Sequence, residues 1–367
     1  MKNNPGNSEL NFDQFVEKYQ KIPVKEYPNC VIESLPYPEI TVRVITYQHE
    51  PYIGECLESI LRQETDIPFE IIIGEDQSTD GTREICIDYA KRYPDKIRLF
   101  LNHRENNIKV DGKATARFNS MFLNFMSRGD FVMSVDGDDY WIDSKKIQFQ
   151  YERMINNPKC HLSFHPVISQ EYGNNSASTI FKQHKDSDYV FNTKELIQRG
   201  GDFCPTVSLM IKRDSLLLQE WVLQVPTGDV YAQIFASIHG GALYINRVMA
   251  VYRRNVPGSW SSRQKSFIIK CRHYLTICKT NRIFNNILNH RYKNEFKERE
   301  DRIFRNHATF NTFKHDRETI REVFSAIEEI TSGQLKVKSY FYVLLSFLFF
   351  KCNLNKVYYY FKKPKNN

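Results

Sequence analysis

From residue 40 to residue 136 the chain alternates short apolar runs with helical stripes, and few architectures accommodate that order. Residues 40–46 are β-rich, and Ile53, Cys56, Leu57, Ile60 and Leu61 then recur at i, i+3, i+4, i+7 and i+8, the spacing of an amphipathic helix. Residues 69–73 form a second apolar run. A turn follows at Ser78-Thr79-Asp80-Gly81, with Asp80 the candidate N-cap for a helix bearing Ile85, Cys86, Tyr89 and Ala90. Residues 97–101 supply a third strand, Phe118, Met121, Phe122, Phe125 and Met126 a third helical stripe, and residues 131–135 a fourth strand. Strands alternating with helices predict an α/β domain around a mostly parallel, doubly wound sheet. Such sheets bind ligands beyond the carboxyl ends of their strands. The polar clusters stand there: Thr46-Tyr47-Gln48-His49, Glu75-Asp76-Gln77-Ser78 and Asp136-Gly137-Asp138-Asp139.

The pattern becomes irregular between residues 160 and 252, with short apolar runs at 160–168, 207–211 and 242–245. Helices are expected at 193–199, where Asn192 and Glu195 can form a capping box, and at 229–239. From about residue 262 a charged helical pattern begins with Phe267, Cys271, Tyr274, Leu275 and Cys278. The expected organisation is an N-terminal extension (1–38), a catalytic-type domain (39–261, divided into 39–145 and 146–261) and a mainly α-helical C-terminal region (262–367).

Net charge is +8, but the basic residues are dispersed until Lys351, Lys356, Lys362, Lys363 and Lys365, so no nucleic-acid groove is indicated. The eight cysteines include no Cys-x-x-Cys pair and read as buried free thiols of a reducing compartment. Residues 1–11 lack an apolar signal core, which predicts a cytosolic chain. The apolar run 340–350 is shorter than the ~18–20 residues that cross a bilayer. Within residues 336–365 it is flanked by lysines, a pattern suited either to peripheral contact with the inner face of a membrane or to a helix packed on the domain.

Three carboxylates directly after a buried strand need a cation or solvent to compensate them. One reading of Asp136-Gly137-Asp138-Asp139 is a solvated acidic turn; the other is a Mg²⁺ or Mn²⁺ site shared with diphosphate oxygens. Position after the strand and the neighbouring Tyr140-Trp141 favour the second. Asp76, at the next strand end, is either part of a capping loop or an acceptor for the imide N–H of uracil, with Thr46 and Tyr47 flanking the base.

These segments, taken in order, resemble family 2 glycosyltransferases. Thr46-Tyr47-Gln48 with Cys56-Leu57-Glu58-Ser59-Ile60 is similar to the family's first turn and helix, and Glu75 to Thr82 to its acidic Ser-Thr-Asp-Gly-Thr loop. Ala116-Arg117-Phe118-Asn119 resembles its Ala-Arg-Asn segment, and Gly129-Asp130 followed by Asp136 to Trp141 its Asp-x-Asp-Asp-x-Trp block. Gly228-Asp229, Gly240-Gly241 and Tyr252-Arg253-Arg254 resemble its second half more weakly.

The resemblance implies a Rossmann-like GT-A domain that uses Mn²⁺ or Mg²⁺ to move a sugar from a UDP-sugar to a glycan or lipid-linked acceptor with inversion, in surface polysaccharide assembly. It implies a nucleotide-sugar site of Thr46, Tyr47, Glu50, Asp76, Arg117, Asp136 and Gly137, metal ligands Asp136 and Asp138, and Asp229 as catalytic base. Asp139, Trp141, Arg253 and Trp260 are expected on the acceptor side. Asp229 has a second reading as a helix cap. Asn255 stands where many relatives carry a histidine, so a ligand at that position is an amide, not an imidazole. Two other classes compete. One is a non-catalytic nucleotide- or glycan-binding protein, disfavoured by Asp76, Asp138 and Asp229 together. The other is a nucleotidyltransferase, disfavoured because residues 46–50 form no Gly-rich basic phosphate loop.

Overall fold

The structure is a computed structural model and describes residues 9–27, 35–110, 113–201, 203–216, 218–225, 228–257 and 267–308. In chain order its first half runs α1 (Phe12–Tyr19), β1 (Lys25–Tyr27), β2 (Ile40–Thr46), α2 (Glu50–Leu61), β3 (Phe69–Glu75), α3 (Thr82–Arg92) and β4 (Ile97–Leu101). A ribbon of β5 (Lys109–Val110) and β6 (Lys113–Ala114) follows, then α4 (Arg117–Met126), β7 (Phe131–Asp136) and β8 (Tyr140–Trp141). The second half contains α5 (Lys146–Asn156), β9 (Leu162–Phe164), β10 (Val167–Glu171), β11 (Asn174–Phe181), β12 (Tyr189–Phe191) and α6 (Thr193–Arg199). It continues with β13 (Met210–Lys212), α7 (Gly228–Ser237), β14 (Ala242–Tyr244) and β15 (Ala250–Arg254), and ends in α8 (Phe267–Ile287) and α9 (Lys293–Ala308).

A nine-stranded sheet carries the fold in the order β1-β4-β3-β2-β7-β13-β9-β14-β12. Strands β4, β3, β2 and β7 are parallel, as the alternation predicts. The sheet as a whole is mixed: β13 runs antiparallel to both β7 and β9, and the edge strands β1 and β12 are antiparallel to their neighbours. One face packs Val42, Val44, Ile71, Ile73, Met133 and Val135 against Ile53, Cys56, Leu57 and Ile60 of α2. The other packs Ile72 and Phe100 against Phe118 and Phe122 of α4 and Phe15 of α1. Each such side chain, fully buried, contributes roughly 1.5–3 kcal/mol.

Register positions the site. Thr46 pairs with Glu75 across β2 and β3, and Ile45 with Asp136 across β2 and β7, so three strands end on one line. Two strands outlast their apolar runs, reaching Glu75 and Asp136, because ladder bonds to β2 continue past the last hydrophobic residue. Together with β8, the region expected to be irregular builds a second sheet, β11-β10-β15-β8. In it Trp141 pairs with Ala250 and Tyr140 with Val251, which brings β15 beside the loop after β7.

The capping box at Asn192 and Glu195 is present. At α3 the N-cap is Gly81, not Asp80: the Asp80 carboxylate accepts from Thr82 N–H (3.0 Å) and from Glu50 N–H (3.2 Å), and so bridges the starts of α3 and α2. Helices α8 and α9 form the helical C-terminal region, with Phe284 packed among Trp221, Tyr231 and Phe296. The described cysteines Cys56, Cys86, Cys160 and Cys204 are buried free thiols, and Cys278 is a half-buried one. No helix among the described residues is long and apolar enough to cross a membrane, and residues 336–365 lie outside them.

Candidate functional site

The turn after β7 fits against the end of β2 because residue 137 has no side chain. A Cβ there would stand 2.6 Å from Thr46 Oγ1 and 2.8 Å from His49 Nδ1. Gly137 N–H donates to the carbonyl of Ile45 (2.8 Å), and Asp139 N–H to that of Asp136 (2.9 Å). Asp138 and Asp139 are buried and Asp136 is half-buried. Desolvation first, and then the Asp138 charge, raise Asp136 to about 6, while Arg43 and His49 oppose the shift. Burial likewise raises Asp138 to about 6, against the influence of Arg253. Asp139 is pushed well above the usual carboxylate range by burial and by both neighbouring carboxylates.

This crowding is what an acidic site looks like without its counter-charge. Asp139 Oδ1 accepts from Arg253 N–H (2.8 Å), while its Oδ2 is buried with no hydrogen-bond partner. Among the described residues no three His, Cys, Asp or Glu side chains converge into a complete metal cage. The donors fit Mg²⁺ or Mn²⁺, which are commonly held by one or two carboxylates plus substrate phosphates, and not an ion needing an all-protein cage.

Asp76, the first residue beyond β3, is also buried. Its Oδ2 accepts from Arg104 Nη1 (3.0 Å) and Asn107 Nδ2 (2.8 Å), and its Oδ1 is buried without a partner. Desolvation raises this carboxyl to about 6, against the Asn107 hydrogen bond and the Arg104 charge. The Arg104 guanidinium also lies 3.8 Å from the centroid of the Tyr47 ring. An aromatic face and an acceptor with a free oxygen thus share one cation.

Gln48 joins the loops after β2 and β3. Its Oε1 accepts from Thr79 N–H (2.7 Å), its Nε2 donates to Thr79 Oγ1 (3.1 Å), and its N–H donates to Ser78 Oγ (3.0 Å). Gln48 and Gln77 both have left-handed backbones, at φ 57° and 55°. Such residues persist only where surrounding bonds hold them.

The structure brings Thr46, Tyr47, Glu50, Asp76, Asp136, Gly137, Asp138 and Asp139 to one edge of the sheet. Several side chains differ from expectation. Thr46 has a fully buried side chain, and its carbonyl takes Asp76 N–H. Glu50 is exposed at the start of α2, over Gly81. Arg117 does not face the strand ends as an open guanidinium; it donates to the carbonyls of Leu223 (3.4 Å) and Val225, in the segment before α7. Trp141 is fully buried because β8 turns it into the core, where Lys146 lies 4.8 Å from its ring; it offers no face to an acceptor. Arg253 is spent bracing the acidic turn, donating to the Asp138 carbonyl (2.6 Å) and to Glu55. Asn255, left-handed at φ 58°, donates its amide to Glu171. Asp229 is exposed in the first turn of α7, and Trp260 lies outside the described residues.

Arg104, Asn107 and Glu55 escaped the sequence reading. Arg104 and Asn107 come from the Asn-rich loop after β4, and only the adjacency of β4 to β3 brings them to Asp76.

Comparison with known proteins agrees with this geometry. The profile described as Glycosyl transferase family 2 matches residues 41–217. An uncharacterized protein of Mycobacterium tuberculosis is 31% identical over 220 residues, 59% of this chain and 59% of that protein, so the match spans about three-fifths of that relative. The uncharacterized glycosyltransferase EpsJ of Bacillus subtilis is 38% identical over 103 residues, 28% of this chain and 27% of its own. The crystal structure of Staphylococcus aureus TarS 1–349 superposes with a TM-score of 0.51 at 17% identity, covering 80% of each chain, which establishes a shared GT-A fold. With the strand-end carboxylates and the family profile in the same segment, the chain carries a glycosyl transferase family 2 domain on a GT-A fold.

Proposed function

We propose that the protein is an inverting glycosyltransferase that takes its sugar from a UDP-sugar with the help of Mn²⁺ or Mg²⁺. One observation carries the reading: a buried Asp76 with one oxygen occupied and the other free stands on the same sheet edge as the desolvated Asp136 and Asp138. Uracil presents an imide N–H that the free Oδ1 would accept, and Tyr47 would stack on the ring. Asp136 and Asp138 would hold the cation, which, when bound, neutralises charge on the leaving diphosphate. Asp139 and Arg253 keep that turn in shape.

Asp229 is the proposed base. It is exposed in the first turn of α7, where the helix dipole favours the carboxylate form. It would take the proton of an acceptor hydroxyl as that oxygen bonds to the anomeric carbon and the bond to the diphosphate breaks on the opposite face. The acceptor is proposed to be a surface glycan or its lipid-linked precursor. TarS, 35% identical over 105 residues, is named a poly(ribitol-phosphate) beta-N-acetylglucosaminyltransferase, and acts as a precedent for the class only.

A thermal-shift panel of UDP-, GDP- and CMP-sugars with Mn²⁺ tests the donor. UDP compounds should raise the melting temperature, since a ligand that binds only the native state stabilises it. Stabilisation by a GDP- or CMP-sugar with no response to any UDP compound would defeat the uridine reading. For the base, Asp229→Asn should bind UDP as wild type does yet lose turnover by ~10²-fold or more; undiminished turnover would remove Asp229 from the mechanism.

A further inference from the structure

His49 stands beside the acidic turn, between Thr46 and Asp138. It is the N-cap residue of α2, but its side chain makes no cap hydrogen bond. The ring is mostly buried and directed at the turn: Nε2 is 4.0 Å from Asp138 Oδ2, with side-chain exposures of 18% and 11%. Its Nδ1 is 3.3 Å from Thr46 Oγ1. Gly137 leaves the space that the ring uses.

Two features of this geometry point to a shared ligand. An ionic hydrogen bond between imidazolium and carboxylate closes to about 2.7–2.9 Å, so the 4.0 Å gap holds no direct bond. A divalent ion binds imidazole nitrogen or carboxylate oxygen at about 2.0–2.2 Å, so two donors on one ion stand within about 4.4 Å of each other. The observed gap falls inside that span. When Nδ1 carries the ring proton and donates it to Thr46, Nε2 keeps its lone pair on the side of Asp138, the arrangement by which a second hydrogen bond orients a metal-binding histidine. The buried Asp139 Oδ2 in the same turn is a second acceptor left without a hydrogen-bond partner. Asn255 donates its amide N–H to Glu171.

We infer that His49 Nε2 is a direct ligand of the divalent cation, alongside Asp138, and that it sets the preference for Mn²⁺ over Mg²⁺. An imidazole nitrogen favours first-row transition ions, whereas a site of carboxylate and phosphate oxygens alone suits Mg²⁺ equally well. The inference rests on the metal-dependent UDP reading of the site.

Pulsed EPR of Mn²⁺ bound to the full-length protein with UDP tests it. Wild type should show nitrogen modulation from a coordinated imidazole, and His49→Ala and His49→Gln should both lose it. Calorimetry on the same UDP complexes should show Mn²⁺ affinity falling on the order of ten-fold in either variant, with a smaller change for Mg²⁺. Circular dichroism and the thermal melting temperature without metal report whether each variant is folded. Mn²⁺ binding without nitrogen modulation in wild type, or with modulation persisting in both variants, overturns the role of His49 and leaves the metal reading standing. Absence of any UDP-dependent Mn²⁺ binding to wild type overturns both.

Discussion

At Gly74 an added Cβ would stand 1.8 Å from Asn119 Oδ1. That asparagine donates to the Gly74 carbonyl (2.7 Å) and accepts from Asn102 Nδ2 (2.9 Å), tying the ends of β3 and β4 to α4. Gly74→Ala should therefore cost about 1–3 kcal/mol, as overpacking of a dense interior does; urea denaturation would measure it, and an unchanged midpoint would contradict the contact. The resemblance to an Ala-Arg-Asn segment thus has a structural basis at Asn119, which no reading of residue types alone supplies. Asp76 gives a second prediction. Its native carboxyl, raised to about 6, holds a proton that an unfolded aspartate, at about 3.9, has already lost. Its contribution to stability is complete below pH ~4 and is lost as pH rises through ~6. Because Asp76→Asn cannot titrate, wild type should lose stability relative to that variant between pH 4 and 7 in metal-free, nucleotide-free buffer; a pH-independent difference would contradict the shift.

Among the elements, helices with a strong apolar stripe and a chemical cap were legible in advance. Residues 193–199 are the clearest case, since Asn192 and Glu195 satisfy each other's backbone N–H groups in the expected box. Asn192→Ala should lower stability by about 1 kcal/mol, read from the chemical denaturation midpoint. The β-strands of the second half were legible only as short apolar runs, because β9, β13 and β14 have three residues each and show no period. Their place is fixed by neighbours remote in sequence: β13 lies between β7 and β9, and β15 is held by β8 and β10. That is also why the surroundings of Trp141 and Arg253 could not be read from the sequence. Both flank sequence motifs, but the pairing of β8 with β15 turns the tryptophan inward and the arginine toward the Asp138 carbonyl.

Over the whole molecule, the strand-end register gathers Asp76 and the acidic turn, while α7 connects the candidate base to the C-terminal helices. Tyr231 of α7 donates to Asn281 Oδ1 of α8 (3.0 Å), and fully buried Phe284 packs between Trp221 and Tyr231. Phe284→Ala should cost about 3–5 kcal/mol by opening a cavity. If α8 holds α7 in place, turnover should fall at temperatures where the variant is still folded; a destabilised variant with full turnover would separate the helices from the site. In the proposed mechanism Asp136 and Asp138 hold a cation on which a bound uridine diphosphate depends. Isothermal calorimetry of UDP binding tests it most directly, with Mn²⁺ and then with EDTA, for wild type and Asp138→Asn. EDTA should weaken binding to wild type, and Asp138→Asn should bind weakly under both conditions. Equal UDP affinity in all four titrations would contradict it.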